Sequence, residues 1–174
     1  MDINNVDFYL KQNLVNTKFD YNKDNISNIE RNFRNSLEYK KYIANKRVNY
    51  DENKCDLLNE YDLSDAKKTK LELHHIVYLY YIVEMAYNYL LSNGHKNITT
   101  FEVENFICEL HFKDLVPYIF LTTSAHQLVH DGKYTVDYNH VKGNYRELYK
   151  EYKEYFSKDG LTQLEDLIQH TKEK

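Results

Sequence analysis

Four of the chain's eight histidines fall in two tight groups, and these residues have the types and spacing to do chemistry. His74 and His75 are adjacent within LELHHI, while His126 and His130 are four apart within TSAHQLVHDG. A strand sends neighbouring side chains to opposite faces, so His74 and His75 cannot both point at one ion. One of them can bind a metal while the other faces a group nearby. On a helix, residues four apart share a face, so His126 and His130 can hold one ion between them, with a third ligand arriving from the strand. Each group by itself is equally compatible with partly buried or surface histidines that do no chemistry.

The elements that must position these residues can be read from the pattern. In KTKLELHHIV (68–77), Leu71 and Leu73 alternate with Glu72, the signature of a half-buried strand. Glu72 shares a face with His74, placed either to hydrogen-bond a ligand histidine or to face solvent. Residues 115–121 are a second apolar strand, and Thr122 or Thr123 caps a short helix carrying His126 and His130, closing near Gly132. Around this core, residues 26–47 are predicted as one helix capped by Ser27 or Asn28. Residues 78–91 form a largely buried helix closed by Asn93-Gly94. Thr99 and Glu102 form a capping box opening a helix to about Phe112. Residues 144–157 are predicted as a helix, and Thr162 with Glu165 as the capping box of the last one. Residues 51–66 are acidic and read as a loop. The expected architecture is α+β and mostly α-helical, one domain over 1–174. It comprises an N-terminal helical extension (1–50), a core (68–132) with a helical insertion (78–113), and C-terminal helices (142–172).

The order strand-borne HH, apolar strand, Thr cap, HxxxH resembles the motif of HNH endonucleases, the His-Me finger or ββα-metal group. LELHHI (71–76) and FLTTSAHQLVHDG (120–132) carry the likeness, and the wider chain resembles bacteriophage HNH proteins over roughly residues 30–156. The resemblance implies a small ββα-metal motif embedded among helices and a metal-dependent DNA endonuclease hydrolysing phosphodiester bonds. It makes His75 the catalytic general base and gives a divalent ion to His74, His126 and His130. Nitrogen ligands favour Zn²⁺ or Ni²⁺, with Mn²⁺ or Mg²⁺ served by added oxygen ligands. The chain departs from that pattern in three ways. Pro117 stands where an Asn is usual, with Asp114 the nearest polar substitute; zinc-binding CxxC pairs are absent; and the insertion is long. These departures suit an alternative expectation, an inactive binding protein of the same fold acting as an anti-defence factor or packaging-motor accessory.

Composition constrains partners. The net charge of −4 is not that of a general nucleic-acid coat. Locally, residues 30–47 set Arg31, Arg34, Lys40, Lys41, Lys46 and Arg47 against only Glu30 and Glu38, and Lys67, Lys68 and Lys70 precede the histidine pair. These basic residues form either a double-stranded DNA contact or a solvated face. A phage or host protein is the other partner expected. Two cysteines without metal-ligand spacing, and a polar N-terminus, imply a reducing cytoplasm, that of the host cell, and no membrane partner. The tyrosine-rich helix 78–91 is read as core packing ahead of base stacking. His111 is expected at a helix C-terminus, where a cation is favoured.

Overall fold

The computed structural model describes residues 21–49 and 71–171. The acidic loop reading of 51–66, Cys55, and the basic residues Lys67, Lys68 and Lys70 lie outside the described residues. The described residues are mostly helical with one two-stranded antiparallel sheet, an α+β architecture. Its order is α1 (Lys23–Asn35), α2 (Leu37–Val48), β1 (Glu72–His75), α3 (Leu79–Ser92), α4 (Thr100–Phe112), β2 (Tyr118–Leu121), α5 (Thr123–His130), α6 (Tyr145–Tyr152) and α7 (Lys158–Gln169). Short 3₁₀ turns flank α6 at Tyr138–His140 and Lys153–Tyr155. Among the described residues, no helix is long and apolar enough to cross a membrane.

The sheet pairs Glu72 with Leu121, Leu73 with Phe120, His74 with Ile119 and His75 with Tyr118. Between these strands the chain makes the detour through α3 and α4. These helices pack on each other, and α1 crosses both. Ile82, Val83, Met85, Val103, Ile107 and Leu110 are all sealed from solvent, which makes this interface the centre of the core. Each end of the detour is locally specified. Thr99 accepts from the Glu102 backbone amide while the Glu102 side chain accepts from that of Thr99, so two free helix donors are satisfied reciprocally. The α5 helix begins where the Thr122 hydroxyl accepts from Ala125. It ends at Gly132, whose φ of 66° is the left-handed conformation a terminating residue needs.

Four predicted elements differ from those observed, the second strand being Tyr118–Leu121 rather than 115–121. The single helix over 26–47 is two helices, broken at Ser36. There the backbone turns extended (φ −64°, ψ 152°), the Ser36 hydroxyl donates to the Phe33 carbonyl, and it accepts from Tyr39 to cap α2. The N-cap of α1 is Asn22, not Ser27 or Asn28. Thr162 lies inside α7 with its hydroxyl on the Lys158 carbonyl, and the helix starts after Ser157. Residues 144–157 form a shorter helix than expected, tightening into a 3₁₀ turn.

Pro117 has a structural place. Its carbonyl accepts from the Ile76 amide at 3.1 Å, one step beyond the last strand pair, a position that requires no N–H of its own. On the other side, Tyr118 exchanges two hydrogen bonds with Lys142. The neighbouring Gly143 has φ 99°, and a Cβ there would stand 2.6 Å from the Val116 carbonyl oxygen. Only glycine fits that approach.

Candidate metal centre

His74, on the face of β1 that meets α5, brings its ring within 5.0 Å of His126 and 5.3 Å of His130, centroid to centroid. One ligand nitrogen from each of the three lies within 4.8 Å of the others. The two strands pack on α5, so the sheet register fixes where His74 meets the helix. The cluster runs from buried His74 through half-buried His126 to exposed His130, so it opens toward solvent on one side.

The donor set suits a divalent cation. The Nδ1 of His126 lies 2.7 Å from Glu72 Oε2, and a carboxylate only accepts, so this nitrogen carries the proton. In the neutral ring, Nε2 then accepts from Nε2 of His130 at 3.0 Å, and it is this lone pair, turned toward the cluster, that an ion would take. Glu72 is itself held by the Thr123 hydroxyl at 3.1 Å. This is the carboxylate–histidine arrangement that orients metal ligands and raises their basicity. Of the two readings open for Glu72, the structure shows the hydrogen bond to a histidine of the cluster. Burial, helped by the neighbouring His126, His130 and Arg34, pushes His74 down to about 4. Its imidazole is therefore neutral and ligand-competent at physiological pH.

His75 lies on the other side of the strand, as alternation requires, in a different environment. It is 4% exposed and stacks on Tyr39. Its Nε2 is 3.0 Å from Nε2 of His111, the residue expected as a cation at a helix C-terminus. His111 is 1% exposed, walled by Phe33, Tyr39 and Tyr42. Its Nδ1 donates to the Ile107 carbonyl at 2.8 Å, so its Nε2 accepts and His75 Nε2 donates. Both rings are held neutral by burial, His75 well below the usual histidine range and His111 at about 4. The Nδ1 of His75 is left buried without a partner.

The other predicted site residues are dispersed. Asp114, in a left-handed conformation (φ 59°), pairs with Lys46 at 2.6 Å rather than joining the histidines. Lys46 also lies over the rings of Tyr42 and Tyr118, and Arg47 lies over Phe120. Arg31 bonds Asn28. Lys40 is exposed and Lys41 half-buried on α2. Arg34 alone of this group lines the cavity in front of the histidines, where it forks onto one oxygen of Glu30 at 2.9 and 3.1 Å. The break at Ser36 splits the expected basic stripe between two helices.

A family model of the bacteriophage G278-like virion proteins matches residues 1–174, the whole chain. The chain belongs to that family. No curated protein and no solved structure matches it. Membership in the G278-like family overturns the resemblance to HNH endonucleases and, with it, the expectation of a metal-dependent DNA endonuclease. The bacteriophage origin agrees, but the G278-like family is one of virion proteins, and an accessory role fits it better than a nuclease. The likeness misled because HH on a strand and HxxxH on a helix constrain only a cluster's geometry, which many ligand sites share.

Proposed function

We propose that this chain is a particle-borne accessory protein of a bacteriophage, in which His74, His126 and His130 hold a divalent ion that organises a binding surface. The observation that carries the reading is the convergence of three ligand nitrogens, one of them with its tautomer fixed by Glu72. Whole-chain membership in a virion protein family supports a place in the particle, and an accessory part in packaging falls within the same reading. Three imidazoles favour Zn²⁺ or Ni²⁺ over Mg²⁺. When bound, such an ion supplies a Lewis-acidic position open to a further ligand. The chain's own residues do the rest: β1 and α5 fix the ligand spacing, Glu72 keeps the proton on the far nitrogen of His126, and burial keeps His74 neutral. His75 borders the same cavity, but its Nε2 is engaged by His111 and its Nδ1 is shut from solvent, which supports binding rather than hydrolysis, because a base that must take a proton from water needs water beside it.

The test is metal content and particle content together. Untagged protein, dialysed against chelator-treated buffer, should retain or re-take one Zn²⁺ or Ni²⁺ per chain by elemental analysis, and His126→Ala should lose it. Purified particles should contain the chain by peptide mass spectrometry. A protein without stoichiometric metal would overturn the centre; particles lacking the chain would overturn its location.

A further inference from the structure

The cavity in front of the histidines has a volume of about 550 Å³, and Arg34 and Glu30 line it beside His74, His126 and His130. A second cavity of about 220 Å³ shares His74 and Tyr78 with the first. Its walls set Ile76, Val129, Tyr134 and Val136 on one side against Gln163 and Asp166, whose carboxylate accepts from the Tyr138 hydroxyl, so it offers an apolar and aromatic wall rather than a wholly apolar recess. Tyr78, at the junction, is 55% exposed.

The charges decide what would sit there. Three neutral imidazoles contribute no negative charge, so an ion held by them keeps most of its two positive charges, partly offset by Glu72 through His126. Arg34 adds a third positive charge, shared with Glu30. Among the described residues the surplus at the histidines is positive and confined to one point, with the Asp166 carboxylate of the second cavity engaged by Tyr138. Among the described basic residues of 30–47, only Arg34 lines this cavity. A nucleic-acid backbone is bound by a track of cations, whereas one carboxylate needs only a point. Next to that point lies the recess with the apolar and aromatic wall, suited to a neighbouring side chain.

Resting on the metal-centre reading above, we infer that this surface docks a protein segment in which an Asp or Glu adjoins an apolar or aromatic residue. The carboxylate completes the ion's coordination within reach of Arg34, and the apolar side chain enters the recess walled by Val129, Tyr134 and Val136. Such an occupant belongs to another protein of the particle.

The experiment uses the untagged full chain loaded with Zn²⁺, after its metal affinity has been measured. The probes are the peptides Ac-Asp-Phe-NH₂, Ac-Asn-Phe-NH₂ and Ac-Asp-Gly-NH₂, with a short oligothymidylate as competitor, followed by NMR shift titration. The Asp-Phe peptide should bind about tenfold or more tightly than its Asn counterpart, and only to loaded protein. Arg34→Gln, on an exposed helix face, should weaken it about fivefold or more while metal affinity stays within about twofold. Tyr134→Ala should weaken Asp-Phe but not Asp-Gly. Equal binding of the Asp and Asn peptides, indifference to Arg34→Gln, or ready displacement of the peptide by oligothymidylate would each overturn the inference, the last in favour of a nucleic-acid ligand. In all three cases the metal centre would stand. Failure to bind Zn²⁺ at the outset would instead remove the centre itself.

Discussion

His74 and His75 are neighbours in the chain, yet they belong to two environments with opposite uses of the same side chain. On the α5 face, His74 meets two more imidazoles, one of which is half-buried and backed by Glu72, and the cluster opens to solvent. On the other face, His75 meets a single imidazole inside an aromatic cage. What separates a ligand site from a polar core contact is thus the next layer. On both faces one imidazole accepts from another at 3.0 Å, but on the first a carboxylate fixes the tautomer and the pair opens to solvent, whereas on the second both rings are sealed. Removing a group from the first face should cost ligand affinity, and removing one from the second should cost stability.

The largest effect is expected from His126→Ala. Loss of one of three ligands should reduce Zn²⁺ affinity by roughly 100-fold or more, measured by competition with a chromogenic chelator, with the far-ultraviolet circular dichroism unchanged. Glu72→Gln is the sharper test, because it keeps the ligand and removes only the carboxylate charge. Metal affinity should fall by about 10- to 100-fold, and Glu72→Asp should restore part of it. If Glu72→Gln left affinity untouched, the division between the two faces would lose its basis.

On the rear face, His111→Leu should leave metal affinity unchanged and destabilise the fold by about 1–3 kcal/mol in urea melts, since it strands the buried donor of His75. The double variant His75→Leu with His111→Leu should recover much of that loss, because two apolar groups leave nothing unsatisfied. A double variant as unstable as the sum of its parts would show that the pair is not the relevant unit.

The smallest effect concerns pH, where Glu104 of α4 works against the buried histidines His74, His75 and His111. His111 titrates at about 4, below its unfolded value of about 6.5, so the native state resists protonation and stability falls as pH drops from 6.5 toward 4. Glu104, 2% exposed, is pushed up to about 7 by burial, with a hydrogen bond to Asn32 acting the other way. Its contribution has the opposite sign, being fully present below about 4.5 and lost as pH rises through 7. Between pH 4.5 and 6.5 the two slopes oppose. Glu104→Gln should therefore stabilise the protein by about 1–2 kcal/mol at pH 8 and uncover a steeper acid limb in melts taken from pH 7 to pH 5.

Much of this was legible where the signal is local. The Thr99–Glu102 reciprocal cap, the Thr122 cap and the glycine closure after His130 are each written within four residues of sequence, and each forms as read. Alternation placed His74 and His75 on opposite faces, and helical spacing placed His126 beside His130. What escaped depends on distant packing. Ser36 breaks a run of helix-favouring residues without glycine or proline, because a serine that can cap a second helix competes with continuing the first. His111 looked like a helix-end cation until α2 brought Tyr39 and Tyr42 over it. The basic residues of 30–47 looked like one stripe until the same break divided them and Asp114 claimed Lys46. The function misread has a different cause. A four-histidine pattern reports how ligands can converge, not what the resulting centre is for.

The detour through α3 and α4 has a consequence for how the molecule would come apart. Its two ends are His74 and the helix bearing His126, so an ion held by both closes the whole insertion into a ring. Chelation would then act as a fastener on the topology. Opening the insertion would require breaking coordination first, and the ion's binding energy would appear as resistance to unfolding that disappears when a chelator is added.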